Sequence, residues 1–156
     1  MSFVISGLPV DEFRPLFDLS DAELAERGIL RRIADADRGF PCRLSIEDAR
    51  QGDTVLLLNY EHQPAKTPFR ASHAIYVNER IVQTARYVDE VAPALAVREH
   101  ISLRAFSDEG MMLDADVARG SDLTPAIERL LGGAGVAYLH AHYAGMGCYA
   151  ARIDRA

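Results

Sequence analysis

Tryptophan is absent from the 156 residues, and cysteine occurs only twice, as Cys42 and Cys148. Two thiols are too few for a disulfide framework, and in a reducing compartment each stays free and behaves as a small buried hydrophobe. A nucleophilic role for Cys42, which follows Pro41, needs a neighbouring base, and the sequence shows none. No apolar run approaches the roughly 20 residues that cross a bilayer. The start, Met1-Ser2-Phe3-Val4-Ile5-Ser6-Gly7, lacks the basic region and long apolar stretch of a secretory leader. The expected location is therefore the cytoplasm, with no membrane partner. Nothing in the way of a Lys or Arg run offsets the formal charge of −6, so nucleic acid is not an expected partner either. A repeat period and low-complexity tracts are also missing, which excludes a solenoid or propeller.

What remains is the balance of an ordinary globule, 49% hydrophobic and 26% charged, which excludes disorder as the default reading. A chain of this length buries about 70% of its unfolded surface, enough for one self-sufficient domain over residues 1–156. Ser20-Asp21-Ala22-Glu23 is a capping box that predicts a short helix to about Arg27, closed by Gly28. Ile29 to Asp35 reads as a strand. Ser45, with Asp48 three residues on, predicts a second short helix closing at Gly52. The continuous apolar run Val55-Leu56-Leu57-Leu58, ended by Asn59, suits a central strand covered on both faces. Ala74 to Val77 is another strand, and Asn78-Glu79 a turn into Arg80-Ile81-Val82. Residues 83–98 receive no assignment.

The last third can be tested by matching faces. A three-residue loop Asp108-Glu109-Gly110, with Gly110 left-handed, pairs Ala105 with Leu113, Leu103 with Ala115 and Ile101 with Val117. Arg104 then faces Asp114, and Ser102 faces Asp116, on a separate polar side. A second loop, Gly145-Met146-Gly147, sets Tyr143 opposite Tyr149, Ala141 opposite Ala151 and Leu139 opposite Ile153. Its polar side carries His142 across from Ala150 and His140 across from Arg152. Between the hairpins, Thr124-Pro125 starts a helix whose stripe of Ile127, Leu130 and Leu131 covers the oily faces, and Gly132-Gly133 stops it. The expected fold is α+β: a mostly antiparallel sheet with a C-terminal β-β-α-β-β unit and short N-terminal helices.

Two constellations are candidate binding sites. The first is the polar hairpin face with Arg104, Asp114, Asp116, His140, His142 and Arg152, and Cys148 diagonal to His142. Residues two apart on a strand lie on the same side, so neighbouring pairs can converge on one ligand. Two imidazoles plus a carboxylate suit iron and a neutral histidine pair suits zinc, so His140, His142, Asp114 and Asp116 are the metal candidates. Arg152 opposite His140 should depress imidazole protonation. The second is the connection Glu61 to Ser72, long enough to be a binding loop, with His62, Arg70 and the following His73; Asn59 precedes it. Arg70 and Arg104 would anchor an anionic group. Against both stands a solvated sheet face and a surface loop stiffened by Pro64 and Pro68. Gly132-Gly133-Ala134-Gly135 follows a helix rather than preceding one, so it does not cradle phosphate, and no nucleotide or flavin signature is present.

The segments Phe40-Pro41-Cys42-Arg43, Asn59-Tyr60-Glu61-His62-Gln63-Pro64, Pro68-Phe69-Arg70-Ala71-Ser72 and Ser102-Leu103-Arg104-Ala105-Phe106 stand in a familiar order. With Gly110-Met111-Met112, Asp114-Ala115-Asp116-Val117, Tyr138-Leu139-His140-Ala141-His142 and Gly147-Cys148-Tyr149-Ala150-Ala151-Arg152, the chain resembles the bacterial domain of unknown function 1203 family over nearly its whole length. That family has no established activity, so the resemblance implies no catalytic residue, substrate or cofactor. The residues themselves predict a small-molecule binding domain, its ligand anionic where the arginines act as anchors, or a modest enzyme, with a His/Asp/Arg pocket. The rival is a non-catalytic homo-oligomeric interaction module with Phe106, Met112 and Tyr138 as its contact patch.

Overall fold

Short strands dominate the computed structural model, which describes residues 1–156. The chain begins with β1 (Phe3–Ser6), α1 (Val10–Phe13), α2 (Asp21–Glu26), β2 (Leu30–Ile33), β3 (Pro41–Cys42) and β4 (Glu47–Asp48). It continues through β5 (Thr54–Gln63), β6 (Ala71–Asn78), β7 (Arg86–Val88) and α3 (Pro93–Ala96). It ends with β8 (Ile101–Phe106), β9 (Met112–Ala118), α4 (Leu123–Leu131), β10 (Tyr138–Tyr143) and β11 (Tyr149–Arg155). One sheet runs β7-β1-β11-β10-β8-β9 and the other β2-β5-β6-β3-β4. Every pairing is antiparallel except β3 with β6, so the class is α+β with the expected C-terminal β-β-α-β-β unit.

Helix α4 lays Leu123, Ile127, Leu130 and Leu131 against Leu103, Leu139 and Ile153 on one face of the six-stranded sheet. On the other face Tyr149 joins Leu56, Leu58, Ile75 and Val77 of the second sheet, together with α1 and α2. Strand β10 lies between these two layers, and all six of its residues are buried. Each large aliphatic side chain buried there contributes about 1.5–3 kcal/mol. A polar residue on β10 is therefore largely desolvated, and leaving it without a partner is costly.

Several local expectations hold and others fail for identifiable reasons. The Ser20–Glu23 capping box closes in both directions, at 2.8 and 3.2 Å. Strand β5 is interior and ten residues long, so the connection after it is 64–70, not 61–72. The helix expected after Ser45 is replaced by a tight turn in which Ile46 takes a φ of 54°, and β4 folds back on β3. Burial accounts for this, since Leu44 and Ile46 are 1% and 0% exposed and the turn drives both inward. No strand forms at Arg80–Val82, and the unassigned 83–98 stretch supplies β7 and α3. Asp122, not Thr124, occupies the N-cap position of α4.

The hairpins keep their glycine bends but not their full register. Gly110 and Gly147 have φ of 84° and 79°. Ser107 N–H donates to Met111 O (2.8 Å) and Phe106 pairs with Met112, as a 108–110 loop requires. A bulge then inserts Leu113, so that Ala105 pairs with Asp114, Leu103 with Asp116 and Ser102 with Val117. Strand β9 is an edge strand with Leu113 and Val117 about half exposed, and weak burial leaves its register weakly specified. In the second hairpin the expected pairs Leu139–Ile153, His140–Arg152 and Ala141–Ala151 form. A bulge at Ala150 then pairs His142 with Tyr149 in place of Ala150.

Candidate metal centre

Four of the five histidines meet between the sheets. His140 and His142 point from β10 toward the second sheet, on the same side as Arg104, Ser102 and Phe106 of β8. His73 comes from β6 and His62 from a bulge in β5, where pairing passes from Tyr60–His73 to Gln63–Ala71. The extra residue turns the consecutive side chains of His62 and Gln63 inward. Gln63 Nε2 donates to Tyr138 Oη at 2.8 Å, tying the bulge to β10. The His62 ring stacks on Tyr149 with 4.9 Å between centroids, and it meets His142 and His140 edge-on at 5.1 and 5.5 Å. Tyr149 reaches this side only because of the bulge at Ala150.

Hydrogen bonding divides the ring nitrogens into two sets. His142 Nδ1 lies 2.9 Å from the Gly147 carbonyl, which can only accept, so the proton sits on Nδ1 and Nε2 keeps its lone pair. His62 Nε2 lies 2.7 Å from His73 Nδ1; with the proton on His62 Nε2, His62 Nδ1 is likewise free. His62 Nδ1, His140 Nδ1 and His142 Nε2 are buried and have no hydrogen-bond partner. Each of the three rings offers one nitrogen within 4.8 Å of the others. Nitrogens sharing one zinc at ~2.0–2.1 Å stand roughly 3.4 Å apart in a tetrahedral arrangement, so closing around an ion takes a movement of about an ångström.

The electrostatics keep these rings neutral. Burial, aided by the other histidines and by Arg152 and Arg104, lowers His140 to about 2. His142 falls to about 3, again chiefly by burial, against the opposing hydrogen bond to Gly147. His62 falls to about 4 through burial, His73 and Arg104. His73 moves the same way, through burial and then Arg104 and Arg43. A cavity of about 280 Å³ leads from solvent to His62 and His140, walled also by Ser6, Tyr149 and Arg152. Neutral imidazoles with ring nitrogens this close, two of them reachable from outside, offer a donor set for a soft or borderline cation.

A profile of the family described as "Protein of unknown function (DUF1203)" matches residues 39–155. The chain belongs to this family. No curated protein and no solved structure matches it. The DUF1203 match takes in all four clustered histidines and Arg104, and it leaves out β1 with Ser6, α1, α2 and β2.

Of the residues singled out in this DUF1203 chain from sequence, His62, His73, His140, His142 and Arg104 come together, and Arg152 joins them at the cavity mouth. Asp114 and Asp116 do not. Their strand's bulge turns them to the α4 side, where Arg129 lies in close contact with Asp116 and 3.9 Å from Asp114. Arg70 is exposed, lines no part of the cavity, and is paired with Glu61 at 2.8 Å. Asn59 is exposed. Cys148 Sγ accepts from Arg43 Nη2 at 3.2 Å and stands apart from the cluster, while Cys42 Sγ is buried and takes the amides of Leu44 and Asn78. Phe106 and Tyr138 are 3% and 7% exposed, so they form no outward patch. Tyr149 and Arg43 were missed, because the roles of both depend on how the two sheets face each other.

Proposed function

We propose that this chain is a metal-dependent small-molecule binding domain or enzyme, built on a centre formed by His62, His140 and His142. One observation carries the reading: His62, His140 and His142 each offer a ring nitrogen within 4.8 Å of the others, and each has a buried ring nitrogen with no hydrogen-bond partner. Unpaired buried acceptors are costly, on the order of 1–3 kcal/mol each, and a shared cation satisfies all three at once. Zinc is favoured over iron, because no carboxylate joins the histidines and three imidazoles with one open position is a zinc arrangement. His73 and the Gly147 carbonyl would hold the outer nitrogens of two ligands and so fix their tautomers. Two free thiols and no helix long and apolar enough to cross a membrane are in keeping with a cytoplasmic setting.

The test is metal analysis of protein purified without chelator from zinc- and iron-supplemented cells. The expected result is about one zinc per chain, lost in the His140→Ala, His142→Ala double variant while its circular dichroism is retained. Metal-free wild-type protein that also takes up no zinc on dialysis would overturn the reading. The rival, a homo-oligomeric module, has one supporting feature, the half-exposed Leu113 and Val117 on edge strand β9. A dimer mass in solution that reverts to monomer in Leu113→Lys, Val117→Lys would favour it.

A further inference from the structure

The charges around the histidines do not balance. A divalent ion held by the three neutral imidazoles would bring two positive charges into a buried site, and no carboxylate stands among the residues that would hold it. Arg104 adds a third. It lies directly across from His140 on the same face, is partly buried, and has no acidic partner: burial alone acts on its pKa and lowers it. Arg43, which acts on His73, is held by carbonyls and a thiol, and the charges on the cavity wall are already paired. Asp154 holds Arg152 at 2.8 Å, and Glu61, the one carboxylate on the cavity wall, is held by Arg70. Uncompensated charge in a partly desolvated site is among the most expensive arrangements a protein can hold.

We propose that the ligand of this centre is a small anion with an oxygen donor, a carboxylate or a phosphate, which enters through the 280 Å³ cavity beside His62 and His140 and is balanced by Arg104. This rests on the metal reading given above. The anion would take the open position on the ion; Arg104 is not on the cavity wall but faces His140 from β8, so its guanidinium, whose planar fork fits carboxylate and phosphate alike, would reach the remaining oxygens from the side opposite Arg152. At about 30 Å³ per water-sized group, the cavity has room for an occupant on the order of ten heavy atoms. Arg104 in this role is a binding residue and contributes nothing to holding the metal, which its charge opposes.

The two readings separate in cobalt-loaded full-length protein, whose visible absorption reports the cobalt ligands. Titration with acetate and, separately, with inorganic phosphate is expected to shift the spectrum saturably. A response to acetate alone identifies a carboxylate ligand, and a response to phosphate alone a phosphoryl one. Arg104→Gln should weaken the anion at least 10-fold while binding cobalt as tightly as wild type or more so. Arg104→Lys, which keeps the charge but loses the fork, should weaken the anion by less than the glutamine variant does, and if the glutamine variant fails to fold, wild-type anion affinity in Arg104→Lys overturns the guanidinium contact. A cobalt spectrum indifferent to both anions at tens of millimolar, or equal anion affinity in Arg104→Gln and wild type, overturns the proposal and leaves the metal centre standing. Failure of wild-type protein to bind cobalt overturns both.

Discussion

At the scale of single residues, the cluster is a set of bases that the fold keeps from protonating. His140 and His142 are 2% and 0% exposed, and burial is the main cause that takes them to about 2 and about 3. In the unfolded chain both return to about 6.5. Because the folded values lie below the unfolded ones, the unfolded state binds more protons as pH falls under 6.5, and stability falls with it. The contribution is fully present above that value and drains away toward pH 2–3. Each histidine adds a slope approaching about 1.4 kcal/mol per pH unit well inside the window. Metal-free protein should therefore lose urea stability steadily from pH 7.5 to 5.5, a range above most carboxylate titration. His140→Gln, His142→Gln should flatten the dependence. A wild-type midpoint that stays constant across this range would show that the rings are not held neutral by burial.

Among the elements, the hairpins show what a bend can specify and what it cannot. Both glycines adopt the left-handed conformation that the loop spacing predicts, yet one bulge in each hairpin resets the faces beyond it. In β11 the reset brings Tyr149 onto the histidines, and in β9 it sends the aspartates to α4. The two glycines also differ in surroundings. A Cβ on Gly110 would stand 2.4 Å from Ala65 Cβ, where the 64–70 connection packs on the bend and Thr67 Oγ1 donates to Gly110 O. A Cβ on Gly147 would meet nothing within 4 Å. Gly147→Ala should thus cost only the left-handed strain, about 1–2 kcal/mol. Gly110→Ala carries the same strain and a clash between two small groups of which neither can rotate away, so about 2–4 kcal/mol is expected. Chemical denaturation of the two variants measures the order, and a Gly147→Ala loss equal to or larger than that of Gly110→Ala contradicts it.

Across the whole molecule, what was legible in sequence is what one strand and its neighbour decide. The capping box, the apolar run of β5, the helix between hairpins and the His140–Arg152 pairing all follow from spacing within a few residues. The meeting of His62 and His73 with His140 and His142 does not, because it depends on two bulges and on which faces of two separate sheets are pressed together. Beside Gln63 with its bond to Tyr138, Arg43 is one of the side chains that join them. It sits in the turn after β3, is 1% exposed, donates through Nε to the Tyr149 carbonyl at 2.7 Å and through Nη1 to the Pro41 carbonyl, and lies 5.1 Å from the Tyr143 ring. It has no carboxylate among these partners, so the charge is held by carbonyl dipoles, a thiol and a ring face. Two effects then compete in Arg43→Met. Removing a desolvated charge is favourable, whereas the Tyr149 carbonyl loses its donor at the point where β11 meets the second sheet. The charge is already well solvated by its partners, so the lost donors should dominate, with a net destabilisation of about 2–4 kcal/mol. Because Tyr149 is the ring on which His62 stacks, the same variant should also bind zinc more weakly, and Arg43→Met protein with unchanged stability and zinc affinity would mean that the sheets are aligned by their apolar contacts alone.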